Sequence, residues 1–155
     1  MPLSKRGFLY AMGYGLIAGL FLTVFFKLVE SVTSLKVYTL LLNVDYIPYL
    51  NTFVFPEVIE VSFHLIVSLA LAISLYLLLV YTNIKSRSKI IFTCTIVCLI
   101  IGVALYPTTT FSDRTPMLTS IPSFTYWIMG HILYGYLLGI LFALPVTRTI
   151  LNNVS

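Results

Sequence analysis

The chain has 155 residues, of which 59% are hydrophobic and 9% charged, with a formal net charge of +4 and a mean hydropathy of +1.03. A water-soluble domain of this size carries about a quarter of its residues as Asp, Glu, Lys or Arg, because a small globule must keep a large surface wet. The composition therefore excludes a soluble enzyme, a disordered tail and a nucleic-acid reader, whose basic residues would gather on one polar face; its solvent is lipid.

Four apolar stretches reach the roughly 17–25 residues needed to cross a hydrocarbon core about 30 Å thick. They run from Gly7 to Phe26, Val58 to Tyr81, Ile90 to Tyr106 and Ser123 to Leu144. With their flanks they predict transmembrane helices over about 7–28, 57–82, 90–106 and 122–145, making one integral membrane domain over residues 1–155, an all-α up-and-down four-helix bundle. The first stretch follows Lys5 and Arg6 as a secretory signal would. It is too long for such a signal's apolar core, however, and no small-x-small cleavage site follows Phe26, so an uncleaved first helix is expected.

The long connection from Ser31 to Pro56 carries Val37, Leu40, Leu41 and Val44 at helical spacing. That piece is too short to span and predicts a short helix at the membrane interface, capping the bundle in the first external loop; an ordinary loop is the other reading. Pro56 and Pro122 stand where the second and fourth spans begin, where a missing N–H does no harm. Pro107 is a natural stop for the third.

Charge sorts the two faces. Lys5, Arg6, Lys85, Arg87, Lys89 and Arg148 fall on one side, whereas Lys27, Lys36 and Arg114 share the other with all five acids, Glu30, Asp45, Glu57, Glu60 and Asp113. The positive-inside rule then places both termini in the cytoplasm. Tyr126 and Trp127, at the outer end of the fourth span, suit an interfacial aromatic belt.

Each span has a stripe of small residues at four-residue spacing, the pattern that lets helices pack closely in lipid. The stripes are Ala11, Gly15 and Gly19; Ser68 and Ala72; Cys94, Cys98 and Gly102; and Gly135, Gly139 and Ala143. Any of them would serve the bundle itself, a homodimer or a larger membrane-protein partner. Cys94 and Cys98 are spaced C-x3-C, unlike the C-x2-C of redox motifs, and read as small packing residues.

Ionisable groups inside a membrane are costly and by default mark function. Glu57, Glu60 and His64 share one face of the second span, the face that continues to Ser68 and Ala72. His131 leads the Gly135–Gly139 stripe of the fourth, and Glu30 closes the first span near Lys27. At about 1.5 Å per residue, both histidines lie roughly 10–13 Å below the outer boundary. The candidate site is accordingly His64, His131, Glu60, Glu30, Lys27 and Glu57, an outward-facing pocket for a proton, a metal ion or a small solute. Imidazoles and carboxylates suit a metal ion, and His64 and His131 would also suit haem. The alternative is that the histidines bond backbone carbonyls or a tyrosine such as Tyr134 and act as interhelical glue in an accessory subunit. No nucleophile elbow, H-E-x-x-H pair or phosphate loop is present, and no enzyme is expected.

Gly15-Leu16-Ile17-Ala18-Gly19 followed by Lys27 and Glu30, the early His64, Pro107, and Thr115-Pro116 leading to Gly130-His131 resemble the YagU-like family of small bacterial inner-membrane proteins. The likeness spans all four helices. It implies a four-helix inner-membrane protein and points again to Lys27, Glu30, His64 and His131, but names no reaction or substrate. The proline-and-arginine segment of that family after its first helix is absent here, where Ser31 to Asp45 stands instead, so no role of that segment transfers.

Overall fold

A computed structural model describes residues 5–145 together with Thr147 and Thr149. Arg148, one of the six basic residues assigned to the inner face, lies outside the described residues. Among the described residues five α-helices have defined bounds, in order α1 (Lys5–Thr33), α2 (Val37–Leu42), α3 (Glu57–Tyr81), α4 (Arg87–Leu105) and α5 (Ile121–Phe142). Four of the described helices, α1, α3, α4 with its continuation, and α5, are long and apolar enough to cross a membrane. The structure is thus the expected all-α four-span bundle, with a short fifth helix in the first long connection.

The helix ends have local causes. α1 outruns its expected end because Lys27 and Glu30 find partners rather than stopping the helix. It closes at Ser34, whose φ of 60° and N–H bond to Glu30 O (2.8 Å) make a left-handed cap. α3 ends at Asn83, with φ 53°, which donates to Val80 O while Ile84 donates to Leu79 O. That pair of bonds satisfies the last carbonyls, and asparagine tolerates the left-handed turn better than most residues. α4 stops two residues before Pro107, and the chain tightens into a 3-10 segment over Tyr106–Phe111.

Helix packing follows the small-residue stripes. A Cβ on Gly15 would stand 2.9 Å from Ala72 Cβ, and one on Gly19 2.8 Å from Ser68 Oγ, so the α1 stripe meets the α3 stripe. On the other side a Cβ on Gly135 would stand 2.7 Å from Cys98 Cβ, and one on Gly139 2.7 Å from Ile91 Cα. Cys94 and Cys98 are free thiols, fully buried in that α4–α5 seam. α1 and α5 then join the two pairs through large aromatic contacts: Phe26 stacks on Trp127 with centroids 5.2 Å apart, and Tyr14 meets Phe142 edge-on at 5.5 Å. The principal seams are therefore α1–α3, α1–α5 and α4–α5, while α3 and α4 make no comparable seam among the described residues.

Candidate functional site

The face that carries α2 and the Tyr106–Phe111 segment holds most of the polar groups, and the structure divides them into two sets. In the first, carboxylates fasten the connecting segments. Glu30 accepts from the N–H groups of Tyr38 (2.7 Å) and Thr39 (2.9 Å) and from the Thr39 hydroxyl (2.8 Å). It thereby supplies the N-terminal cap that Lys36, with no side-chain bond of its own, does not give α2. One oxygen of Glu57 accepts from Lys27 Nζ and from the Tyr38 hydroxyl, both at 2.6 Å, and Lys27 Nζ lies 5.4 Å from the centre of the Tyr38 ring. Partial burial, the bond to Glu57 and the surrounding carboxylates push the Tyr38 phenol above its ordinary range. Glu60, though buried, is partnered by Arg114 at 3.1 Å, and the Ser112 hydroxyl donates to Asp45 at 2.5 Å.

The second set is uncharged and lies deeper. A cavity of about 230 Å³ is roofed by the stretch from Leu40 to Ile47 and lined by His64 and Ser68 of α3, Ile101 of α4, and Trp127, His131 and Tyr134 of α5. Among the described residues no Asp, Glu, Lys or Arg side chain lines it. His131 donates through Nδ1 to Trp127 O at 2.9 Å, one turn back on its own helix, and its ring lies 4.4 Å from the Trp127 ring. His64 reaches across to α1, donating through Nε2 to Gly19 O over a long 3.3 Å. Ser68 donates to Gly15 O at 2.7 Å and shares a 2.8 Å bond with the Tyr134 hydroxyl.

Both histidines thus meet at one chamber while the carboxylates stand outside it. Glu60, which shares a helix face with His64 in sequence, turns to Arg114. Glu30, Glu57 and Lys27 hold α2. The histidines bond backbone carbonyls, as the packing alternative has it, but each keeps its second ring nitrogen without a hydrogen-bond partner among the described residues. Among the described residues no three His, Cys, Asp or Glu side chains gather closely enough to hold a metal ion. Two imidazoles fall short of the three or four protein ligands a zinc-type site uses.

Glycine makes the room. A Cβ on Gly102 would stand 2.6 Å from His131 Cγ, and the Gly102 carbonyl accepts the Trp127 indole N–H at 2.8 Å. Gly102 is thereby the seat of both rings, a role finer than packing alone. Trp127 is 3% exposed, which corrects its expected place in an aromatic belt: stacking on Phe26 and an internal acceptor for its N–H draw it inward. The sequence reading missed Asn43, Ser68 and Tyr134 as lining groups. Ser68 and Tyr134 carry a signal, polar residues on inward faces; Asn43 becomes relevant only once α2 folds over the bundle.

No protein-family model matches the chain, and neither does any curated protein or solved structure.

Proposed function

We propose that this is a multi-pass protein of a bacterial inner membrane, with cytoplasmic termini, that binds or passes a small solute at the His64–His131 chamber and is not an enzyme. The chamber carries the reading. Its volume, about 230 Å³, equals that of roughly eight waters at about 30 Å³ each, more than a proton or a bare ion requires. Apolar walls with a few convergent polar groups are the usual make-up of a small-molecule site. The small-residue stripes also support it, since glycines that would dock a partner are already filled by neighbouring helices of the same chain. The YagU-like resemblance belongs to this proposal; of the residues it points to, His64 and His131 line the chamber.

The test is chemical. Small molecules are extracted from purified wild type and from His64→Ala/His131→Ala, matched for helix content by circular dichroism, and compared by mass spectrometry. A species enriched near one per chain in the wild type and lost in the variant is expected. Identical extracts would overturn the proposal.

A further inference from the structure

We propose, resting on the binding role above, that the chamber takes the hydroxyl head of an uncharged amphiphile, which enters sideways from the bilayer between α3 and α4. Three observations converge on this ligand class.

The first is the route. Ile66 and Val67 line the chamber although they are 60% and 56% exposed, and so does Leu105 of α4, 36% exposed; Tyr46 and Ile47 of the roof, 41% and 37% exposed, form the outer rim of the same opening. A side chain that borders a cavity and is also open to the outside stands at its mouth. Ile66, Val67 and Leu105 lie on the apolar flanks of two spanning helices that form no principal seam with each other. Below its outer rim the mouth therefore opens on lipid. α2 and the segment after it lie over the aqueous side, tied down by Glu30, by the Tyr38–Glu57 bond and by the Asp45–Ser112 bond.

The second is charge. No Asp, Glu, Lys or Arg side chain lines the chamber among the described residues, and an unpaired charge in an apolar site is expensive. The head group is neutral.

The third is hydrogen-bond polarity. With Nδ1–H of His131 and Nε2–H of His64 given to carbonyls, the remaining nitrogens of the neutral rings are acceptors. The wall thus offers acceptors from two helices. A hydroxyl is uncharged and gives one proton to such an acceptor. The volume holds a head group and a few carbons, and the tail stays in the bilayer.

Trp127, the only tryptophan in the chain, lines the chamber and reports occupancy. The protein in phosphatidylcholine vesicles is titrated with a dodecanol brominated beside the hydroxyl carbon, and separately with the matching bromoalkane and bromoacid. Saturable quenching of Trp127 by the alcohol, at a several-fold lower mole fraction than either control, is expected. His64→Phe, which keeps a ring at the wall but removes its acceptor, should weaken it about tenfold, the upper size of one lost hydrogen bond. Val67→Phe/Leu105→Phe changes only exposed residues and should slow its onset. Equal quenching by alcohol and alkane overturns the hydroxyl assignment. Unchanged onset in the mouth variant overturns lateral access. If either result accompanies an extracted species that depends on the histidines, solute binding stands and this inference alone falls.

Discussion

Replacing Gly135 by alanine should force α4 and α5 apart. An ideal Cβ there would stand 2.7 Å from Cys98 Cβ, 2.8 Å from Cys94 O and 2.9 Å from Thr95 Cα. Carbon contacts settle at about 3.5–4.0 Å. Two of the three obstructing atoms are backbone, so no rotamer change relieves them, and the helices must separate by on the order of 1 Å. Overpacking of this kind costs about 1–3 kcal/mol, while exchanging a helical glycine for alanine returns about 0.5–1 kcal/mol. The balance, taken at the middle of both ranges, is a loss of about 1 kcal/mol, which for a chain of this length lowers Tm by roughly 2–4 °C. Gly13 is the internal control: nothing lies within 4 Å of its Cβ position, so Gly13→Ala keeps only the helix gain and should raise Tm slightly. Cys94 and Cys98, free and fully buried, make the assay simple, because a thiol-reactive fluorogenic dye lights up as the seam opens on heating in detergent. If Gly135→Ala melts at or above the wild-type temperature, the α4–α5 seam is not held by close backbone approach and the reasoning fails.

Four other outcomes follow from the same contacts. Glu30→Ala should free the amides of Tyr38 and Thr39 and speed their hydrogen exchange about tenfold, the size of a lost helix cap, with the middle of α1 unchanged; equal protection would mean that α2 is held by its apolar face alone. Gly102→Ala should displace the His131 ring and weaken the Trp127 indole bond, read as a red-shifted Trp127 emission; an unchanged spectrum would show that the seat is not tight. The raised Tyr38 phenol implies a loss at high pH. The unfolded chain ionises first, near the ordinary value of 10.0, so stability is whole below that pH and falls as pH rises above it. Tyr38→Phe should flatten the decline between about pH 9 and about pH 11, and a decline of the same slope would exclude the residue as its source. Finally, in a cysteine-free background, a cysteine at Asp113 should react with an impermeant label from outside cells and one at Ser86 should not; the reverse pattern inverts the proposed orientation.

What was legible in the sequence is local. Apolar length gave the four spans, and the phase of the small residues gave the faces on which Gly15, Gly19, Gly135 and Gly139 pack, because helical periodicity fixes a face without reference to the rest of the chain. Which stripe meets which is a long-range property, and periodicity does not carry it. The same limit explains the carboxylates. Glu60 and His64 share a face of α3, but the partner that decides Glu60's role, Arg114, sits 54 residues away in another connection. Asn43 lies just beyond α2 and reads as solvent-facing until that segment folds over the bundle.

The open side of the molecule has its cause in this pairing. Two seams take the small residues, α1 with α3 and α4 with α5, and let backbones approach closely. The seam that joins the pairs is built from Phe26, Trp127, Tyr14 and Phe142, whose rings set a wider spacing between α1 and α5. α3 uses Ser68 and Ala72 against α1, and α4 uses Cys94 and Cys98 against α5. α3 and α4 form no comparable seam with each other among the described residues, so the fourth side of the square stays parted beside the chamber that His64 and His131 line. Bulky side chains alone would have filled that gap. It persists on the capped side because Gly102 and Gly130 draw the His131 and Phe26 rings into the seams, leaving a space walled by apolar groups with imidazoles at its back. The chamber is thus a consequence of where this chain places its glycines, and enlarging Gly102 should narrow it by pushing the His131 ring out of its seat.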